Sequence, residues 1–173
     1  DPIRRSAADL ARVWMTLHHA TGGNVVFGIG AGESNNLLPI GEPPASVARL
    51  EDCLDAVRVA WSANGSRVTH AGRFHSWDGA TFPPPLRGTV PPIWVAAQGP
   101  KACGLTGRYA DGWIHIHQDF KAWMTSAERV AEGAESAGKN PEFMTRSLSI
   151  LGVLASSEEM YQRACASEVV RAL

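Results

Sequence analysis

Short apolar runs rich in β-branched residues alternate along this chain with longer stretches of helical spacing. That alternation constrains the fold more than any other feature. The runs at residues 25–29, 92–97, 112–117 and 147–154 read as buried strands. The stretches 7–20, 45–63, 100–109, 119–138 and 158–173 read as helices. The clearest of these carries Val47, Leu50, Leu54, Val57 and Trp61, whose spacing keeps one helical face apolar. Leu10, Val13, Trp14 and Leu17 do the same behind Ser6 and Asp9, which sit as in a capping box. Trp123, Ala127, Val130 and Ala134 share the face of a further helix. Residues 30–43 read as a loop, 67–77 as a small hairpin, and the proline-rich 82–92 as an extended connection. Strands alternating with helices mean right-handed crossovers and a parallel sheet. Such a sheet is either open and doubly wound or part of an eight-stranded barrel, which needs roughly 250 residues.

Bulk properties narrow the class. With 45% hydrophobic and 19% charged residues the chain is expected to be a globular domain with a real core. A net charge of −1 argues against nucleic acid or an anionic membrane surface as partner. No apolar run is long enough to span a bilayer. Cys53, Cys103 and Cys165 are odd in number and widely spaced, so reduced packing thiols of a cytoplasmic protein are expected. No signal peptide opens the chain, and it begins at Asp1 rather than Met, so its natural start is expected to lie upstream.

Four constellations bear on chemistry. Gly28, Gly30 and Gly32 crowd the end of the first strand, with Glu33 and Asn36 at the rim. Glycines there permit positive φ and close approach of a ligand to the main chain. They do not make a dinucleotide fingerprint, because Glu33 stands where G-x-G-x-x-G needs its third glycine. Gln98, Gly99 and Lys101 follow the second strand, where the N–H groups of a helix start suit a phosphate or a ring carbonyl. Arg108 and Asp111 flank the start of the third strand and read as a structural ion pair. His115 and His117 share one face of that strand. Without a third ligand at suitable spacing they read as polar lining of a substrate pocket, with no metal.

Taken together these stretches resemble the luciferase-like monooxygenase superfamily. The resemblance runs through Met15-Thr16-Leu17-His18-His19-Ala20-Thr21-Gly22-Gly23, Gly28-Ile29-Gly30-Ala31-Gly32-Glu33, Pro91-Pro92-Ile93-Trp94-Val95-Ala96-Ala97 and Gly107-Arg108-Tyr109-Ala110-Asp111-Gly112-Trp113. Gly-Ala-Gly-Glu with Asn36 close behind is most similar to the branch that uses the deazaflavin coenzyme F420, and within it to the phthiodiolone ketoreductase-like proteins. The resemblance implies a (β/α)8 TIM barrel, of which about four parallel strands, flanking helices and a small hairpin insertion are present. It implies a deazaflavin, or alternatively FMN, against Ala31, Gly32, Asn36, Gln98, Gly99, Lys101 and Ala102. It further implies acid–base work for Glu33 beside the ring.

Two departures shape the expectation. Ile116 stands where the sugar-phosphate dehydrogenases of the branch carry a hydroxyl that binds substrate phosphate, which disfavours such a substrate. The resemblance also covers only the middle of the family's chain. The segment is therefore expected to be a single incomplete barrel domain over residues 1–173, inactive alone, and prone to pair with itself or with a missing barrel half. A truncated, non-catalytic module is the alternative.

Overall fold

The structure is a computed structural model that describes residues 1–116, 119–149 and 152–167. Helix α1 (Ala7–Ala20) leads into strand β1 (Phe27–Gly30). A short helix α2 (Ser34–Leu37) and a 3-10 turn (Leu38–Ile40) come before helix α3 (Val47–Ser62). Strands β2 (Val68–Ala71) and β3 (Ser76–Ala80) form the hairpin. Strand β4 (Ile93–Ala96), helix α4 (Pro100–Tyr109), strand β5 (Gly112–Ile116) and helix α5 (Phe120–Ser136) follow. Strand β6 (Thr145–Ser149) and helix α6 (Glu158–Ala166) end the described chain.

Local chemistry sets most of these bounds. Ser6 accepts the Asp9 N–H at 3.1 Å, Ser46 that of Arg49 at 3.2 Å, and Asp119 that of Ala122 at 2.8 Å, which starts α1, α3 and α5. Gly22 and Gly23 take positive φ after α1, and the Gly23 N–H closes on the His18 carbonyl at 2.8 Å.

The four large strands lie parallel in the order β1-β4-β5-β6, with the β2–β3 hairpin set apart as its own sheet. Consecutive crossover strands are therefore neighbours without a reversal, which is barrel order rather than that of a doubly wound sheet. One face of the sheet carries Phe27, Ile29, Ile93, Val95 and Trp113, all buried against the helices. Gly28, Trp94 and Gly112 share a row of the other face, and Gly30, Ala96, Ile114 and Ser147 the next. At Gly112 an added Cβ would lie 2.6 Å from the Trp94 indole, so the glycine gives that ring its place. This second face is the inside of a barrel, and the described chain builds four strands of it: a partial (β/α)8 fold.

The helix layer is closely packed. Leu50, Leu54, Val57 and Trp61 of α3 are buried, as their spacing implies, and Cys53, Ala56 and Ala60 join them. Helices α4 and α5 touch backbone to backbone, since a Cβ at Gly107 would lie 2.1 Å from the Val130 carbonyl oxygen. Asp52 of α3 anchors the hairpin by accepting the N–H groups of Arg73, Phe74 and His75 at 2.6, 3.0 and 2.9 Å. Burial would raise the Asp52 carboxyl, but the N–H groups of Phe74, Arg73 and His75 outweigh it and hold the pKa below the usual carboxylate value. All three cysteines are free thiols. Burial pushes the Cys53 thiol up to about 12, the state of a packing residue rather than a nucleophile.

Several details differ from the sequence reading. In α1 the fully buried stripe is Ala7, Ala11, Met15 and His18, whereas Val13 and Leu17 are exposed. Small alanines let the helix lie close on α3, where Trp61 Nε1 donates to the Ala11 carbonyl at 3.0 Å. The expected loop at 30–43 contains α2 and the 3-10 turn. The strand expected over 147–154 begins at Thr145 and is described to Ser149; residues 150–151 lie outside the described ones, and 152–154 carry no strand. Arg108 pairs with Glu51 at 2.8 Å rather than with Asp111, whose carboxylate accepts the Ile93 N–H at 2.8 Å. That bond bridges the starts of β4 and β5, a geometry the short sequence separation of Arg108 and Asp111 does not reveal.

Candidate functional site

The site lies where the parallel strands end at their C-terminal side. Beyond Gly30 the chain turns through Gly32 at φ +89°. That backbone conformation favours glycine, and a Cβ there would also lie 2.8 Å from Leu37 Cδ1, so the Leu37 side chain would have to shift to admit one. Leu37, buried, is the plug beneath the turn. Glu33 precedes α2, and its Oε2 accepts from Asn36 Nδ2 at 2.8 Å. Ser34 Oγ accepts the Ala45 N–H at 3.1 Å, which ties this segment to the start of α3.

The second wall forms where β4 ends. The Ala97 N–H donates to the Ile114 carbonyl at 3.1 Å, and the Ala97 carbonyl accepts from Trp113 Nε1 at 2.9 Å. Gly99 caps α4 with Pro100 in its first turn. Between the two exits opens a cleft of about 490 Å³. Ala31, Gly32, Glu33 and Asn36 line one side, Gln98 and Ala102 the other, and Ile114 and Ile116 the part over β5.

The structure thus gathers Ala31, Gly32, Glu33, Asn36, Gln98 and Ala102 around one opening. Gly99 and Lys101 are not among its lining residues, and Lys101 is exposed. His115 is buried on the helix side, its ring 5.0 Å from that of Trp113, and does not line the cleft. His117 lies outside the described residues. Period-2 alternation correctly separates Trp113 and His115 from Ile114 and Ile116, but it does not say which pair faces the ligand. Among the described residues no group of three His, Cys, Asp or Glu side chains is placed to hold a metal ion.

Sequence reasoning missed Asp1 and Arg4, which also line the cleft. The Asp1 carboxylate accepts the Ile3 and Arg4 N–H groups at 3.2 and 3.1 Å and Arg4 Nε at 2.8 Å. Asp-Pro as a turn former was the available signal. A second cavity of about 550 Å³ lies at the opposite end of the strands. Two of its polar side chains are engaged with backbone: Arg58 donates to the Tyr109 carbonyl, and Asp111 accepts from Ile93. In a barrel that end serves stability.

Comparison with known proteins agrees with this geometry. Residues 2–172 match the luciferase-like monooxygenase family. A phthiodiolone/phenolphthiodiolone dimycocerosates ketoreductase of Mycobacterium kansasii is 40% identical over 144 residues, covering 82% of this chain and 39% of the relative. An F420-dependent glucose-6-phosphate dehydrogenase of Nakamurella multipartita is 33% identical over 143 residues, covering 79% and 41%. The solved structure of an F420-dependent secondary alcohol dehydrogenase with an F420–acetone adduct superposes with a TM-score of 0.73 at 29% identity, over 85% of this chain and 46% of that one. The chain therefore spans less than half the length of these relatives. No helix among the described residues is long and apolar enough to cross a membrane.

Proposed function

The chain belongs to the luciferase-like monooxygenase family, and on that premise we propose that its cleft is part of the bed of a deazaflavin, coenzyme F420, in an oxidoreductase acting on a small organic carbonyl or alcohol. The observation that carries this reading is the convergence of Ala31, Gly32, Glu33 and Asn36 with Gln98 and Ala102 at the C-terminal ends of adjacent parallel strands. The small side chains fit a flat ring, because the two strand exits that line the cleft, Gly30 to Gly32 and Ala96 to Ala97, carry nothing larger than a methyl group. Gln98 and Asn36 offer amides to ring heteroatoms, and the α4 start offers N–H groups from Ala102 in the lining and from Gly99 and Lys101 just beyond it.

Bound there, the cofactor supplies hydride exchange with the substrate carbon. Glu33 holds the proton that leaves or joins the substrate oxygen, with Asn36 steadying its carboxylate. Ile114 and Ile116, together with Trp94 on the same open face, offer apolar contact. They favour a substrate whose carbonyl sits on hydrocarbon over a phosphorylated sugar. Among the described residues neither β1 nor β6 has a second neighbouring strand, so the open face is read as the surface that the remaining barrel strands, or a second copy, cover.

The test is an equilibrium titration of the purified chain with F420 and, separately, with FMN, followed by ligand fluorescence. Saturable binding of F420 in preference to FMN is expected, and preference for FMN would move the reading to a flavin monooxygenase. Binding of neither would overturn the claim that these two strand exits form a bed. The isolated chain is expected to show no steady turnover, and sustained hydride transfer by it would refute that part.

A further inference from the structure

Strands β4 and β5 separate at the cleft. Their pairing ends with Ala96 opposite Ile114, whereas β5 continues beside β6 as far as Ile116 opposite Ser149. In a parallel ladder that ran one step further, the Ile116 N–H would take the Ala97 carbonyl. A side chain takes it instead: Trp113 Nε1 of β5 donates to the Ala97 oxygen at 2.9 Å. That indole is fully buried and meets the rings of His115 and Trp123 at 5.0 and 6.1 Å, so its N–H has a fixed direction. The next carbonyl, that of Gln98, accepts a longer bond of 3.5 Å from Ser126 Oγ of α5, whose side chain is also buried.

Bulk alone accounts for a tryptophan in this core, but not for where its polar atom points. The indole N–H is spent on the carbonyl at which β4 leaves the sheet. The consequence lies on the other side of that peptide. A trans peptide is planar with its N–H opposite its C=O, and no cis peptide bond occurs among the described residues. With the Ala97 oxygen drawn into the helix layer, the Gln98 N–H faces the opposite way, onto the side where Ala97 and Gln98 line the cleft. The Ser126 bond turns the Gly99 N–H out in the same manner. Neither N–H meets an acceptor among the described residues. Beyond them Pro100 brings no N–H and no side chain caps α4, so the Lys101 and Ala102 donors stay uncommitted as well.

We propose that Trp113 is a positioning residue for the cofactor bed: by holding the Ala97 carbonyl, it presents the Gln98 N–H, together with the donors of the α4 start, to an oxygen of the bound ring. Trp113 stays on the helix side of the sheet and touches no ligand; it acts through the backbone at Ala97. This rests on the cofactor reading above and adds the group that sets the geometry of one wall.

Two variants separate the hydrogen bond from the packing. Trp113→Phe keeps an aromatic ring and removes the N–H, whereas Trp123→Phe trims the stacked neighbour and leaves the bond to Ala97 in place. Affinity for F420 and for FMN is read by ligand fluorescence. Exchange of the Gln98 amide hydrogen is read by NMR, with and without the ligand that binds. Trp113→Phe is expected to weaken that ligand about threefold to tenfold, and Trp123→Phe to leave it within about twofold. The ligand should slow Gln98 exchange about tenfold or more in the unsubstituted chain and in Trp123→Phe, and this slowing should be lost in Trp113→Phe. A merely structural role would lower the denaturation midpoint of both variants without separating them in affinity or in Gln98 protection, and that result would overturn the proposal. If Trp113→Phe does not fold, the unsubstituted chain still decides, because Gln98 exchange that bound ligand leaves unchanged overturns the proposal too. Both of those results leave the cofactor reading standing, since a ligand has bound. Binding of neither ligand by the unsubstituted chain would overturn both.

Discussion

The two faces of the four-stranded sheet are made from alternate residues of the same strands, yet they do opposite work. On the helix side Phe27, Ile29, Ile93, Val95, Trp113 and His115 are buried, and aromatic rings meet at short range, as Trp113 and Trp123 do with centroids 6.1 Å apart. On the other side glycine and alanine alternate with Trp94, Ile114 and Ile116, and the cleft opens at its C-terminal edge. The helix side holds the domain together through area removed from water, which needs only bulk and complementary shape. The open side leaves room, and small residues there keep backbone within reach of a ligand. On the proposed reading of the cleft, stability and recognition are separated in this sheet by one residue of register.

That separation can be tested by substitution on each face. Trp113→Ala should cost the most, about 3–5 kcal/mol of unfolding free energy in a denaturant titration, since it empties a fully buried site and removes a bond to the Ala97 carbonyl. Its neighbour Ile116, 44% exposed, should lose under about 1 kcal/mol when replaced by alanine. Comparable losses at both would show that the two faces are not distinct. Asp52→Ala should cost about 1–3 kcal/mol by freeing three backbone donors. Because the folded pKa of Asp52 lies below its unfolded value, its contribution is complete above about pH 4 and disappears as the pH falls through the folded pKa. The variant should therefore lack that acid-side step, and an unchanged acid profile would show that Asp52 does not anchor the hairpin by charge. Gly30→Val should have the smallest effect on folding and act on the cleft instead. It should weaken cofactor binding about tenfold, roughly 1.4 kcal/mol, with the denaturation midpoint nearly unmoved.

Much of this architecture was legible without coordinates, for identifiable reasons. The buried face of α3 follows from the spacing of Leu50, Leu54, Val57 and Trp61, because a helix of that length can hide only one stripe. Strand–helix alternation left a doubly wound sheet and a barrel open, the family resemblance implied the barrel, and the sheet follows barrel order. The stretch from Ala31 to Asn36 and the Gln98–Ala102 region were singled out because glycines and helix starts at strand ends admit ligands. Six of the residues named from them line one cleft. Other assignments failed where the sequence is symmetric. In Trp113-Ile114-His115-Ile116 either alternate pair is a plausible pocket lining, and polarity pointed to the histidine, which the helices bury beside Trp113. Arg108 and Asp111 look paired by proximity, but the fold sends Arg108 to Glu51, far away in sequence, and Asp111 to a backbone N–H.

What the sequence by itself determined is the periodic part: which stretches are helices, which are strands, and that their alternation builds a parallel sheet. Hydrophobic spacing and chain stereochemistry act over a few residues, so they are written locally. Only the tertiary structure decided which side of β5 faces the cleft, that Asp1 clamps Arg4 at its rim, and that Asp52 anchors a hairpin some twenty residues away. Those outcomes depend on what each strand and helix packs against, and packing partners are brought together by the fold as a whole rather than by any one stretch of chain.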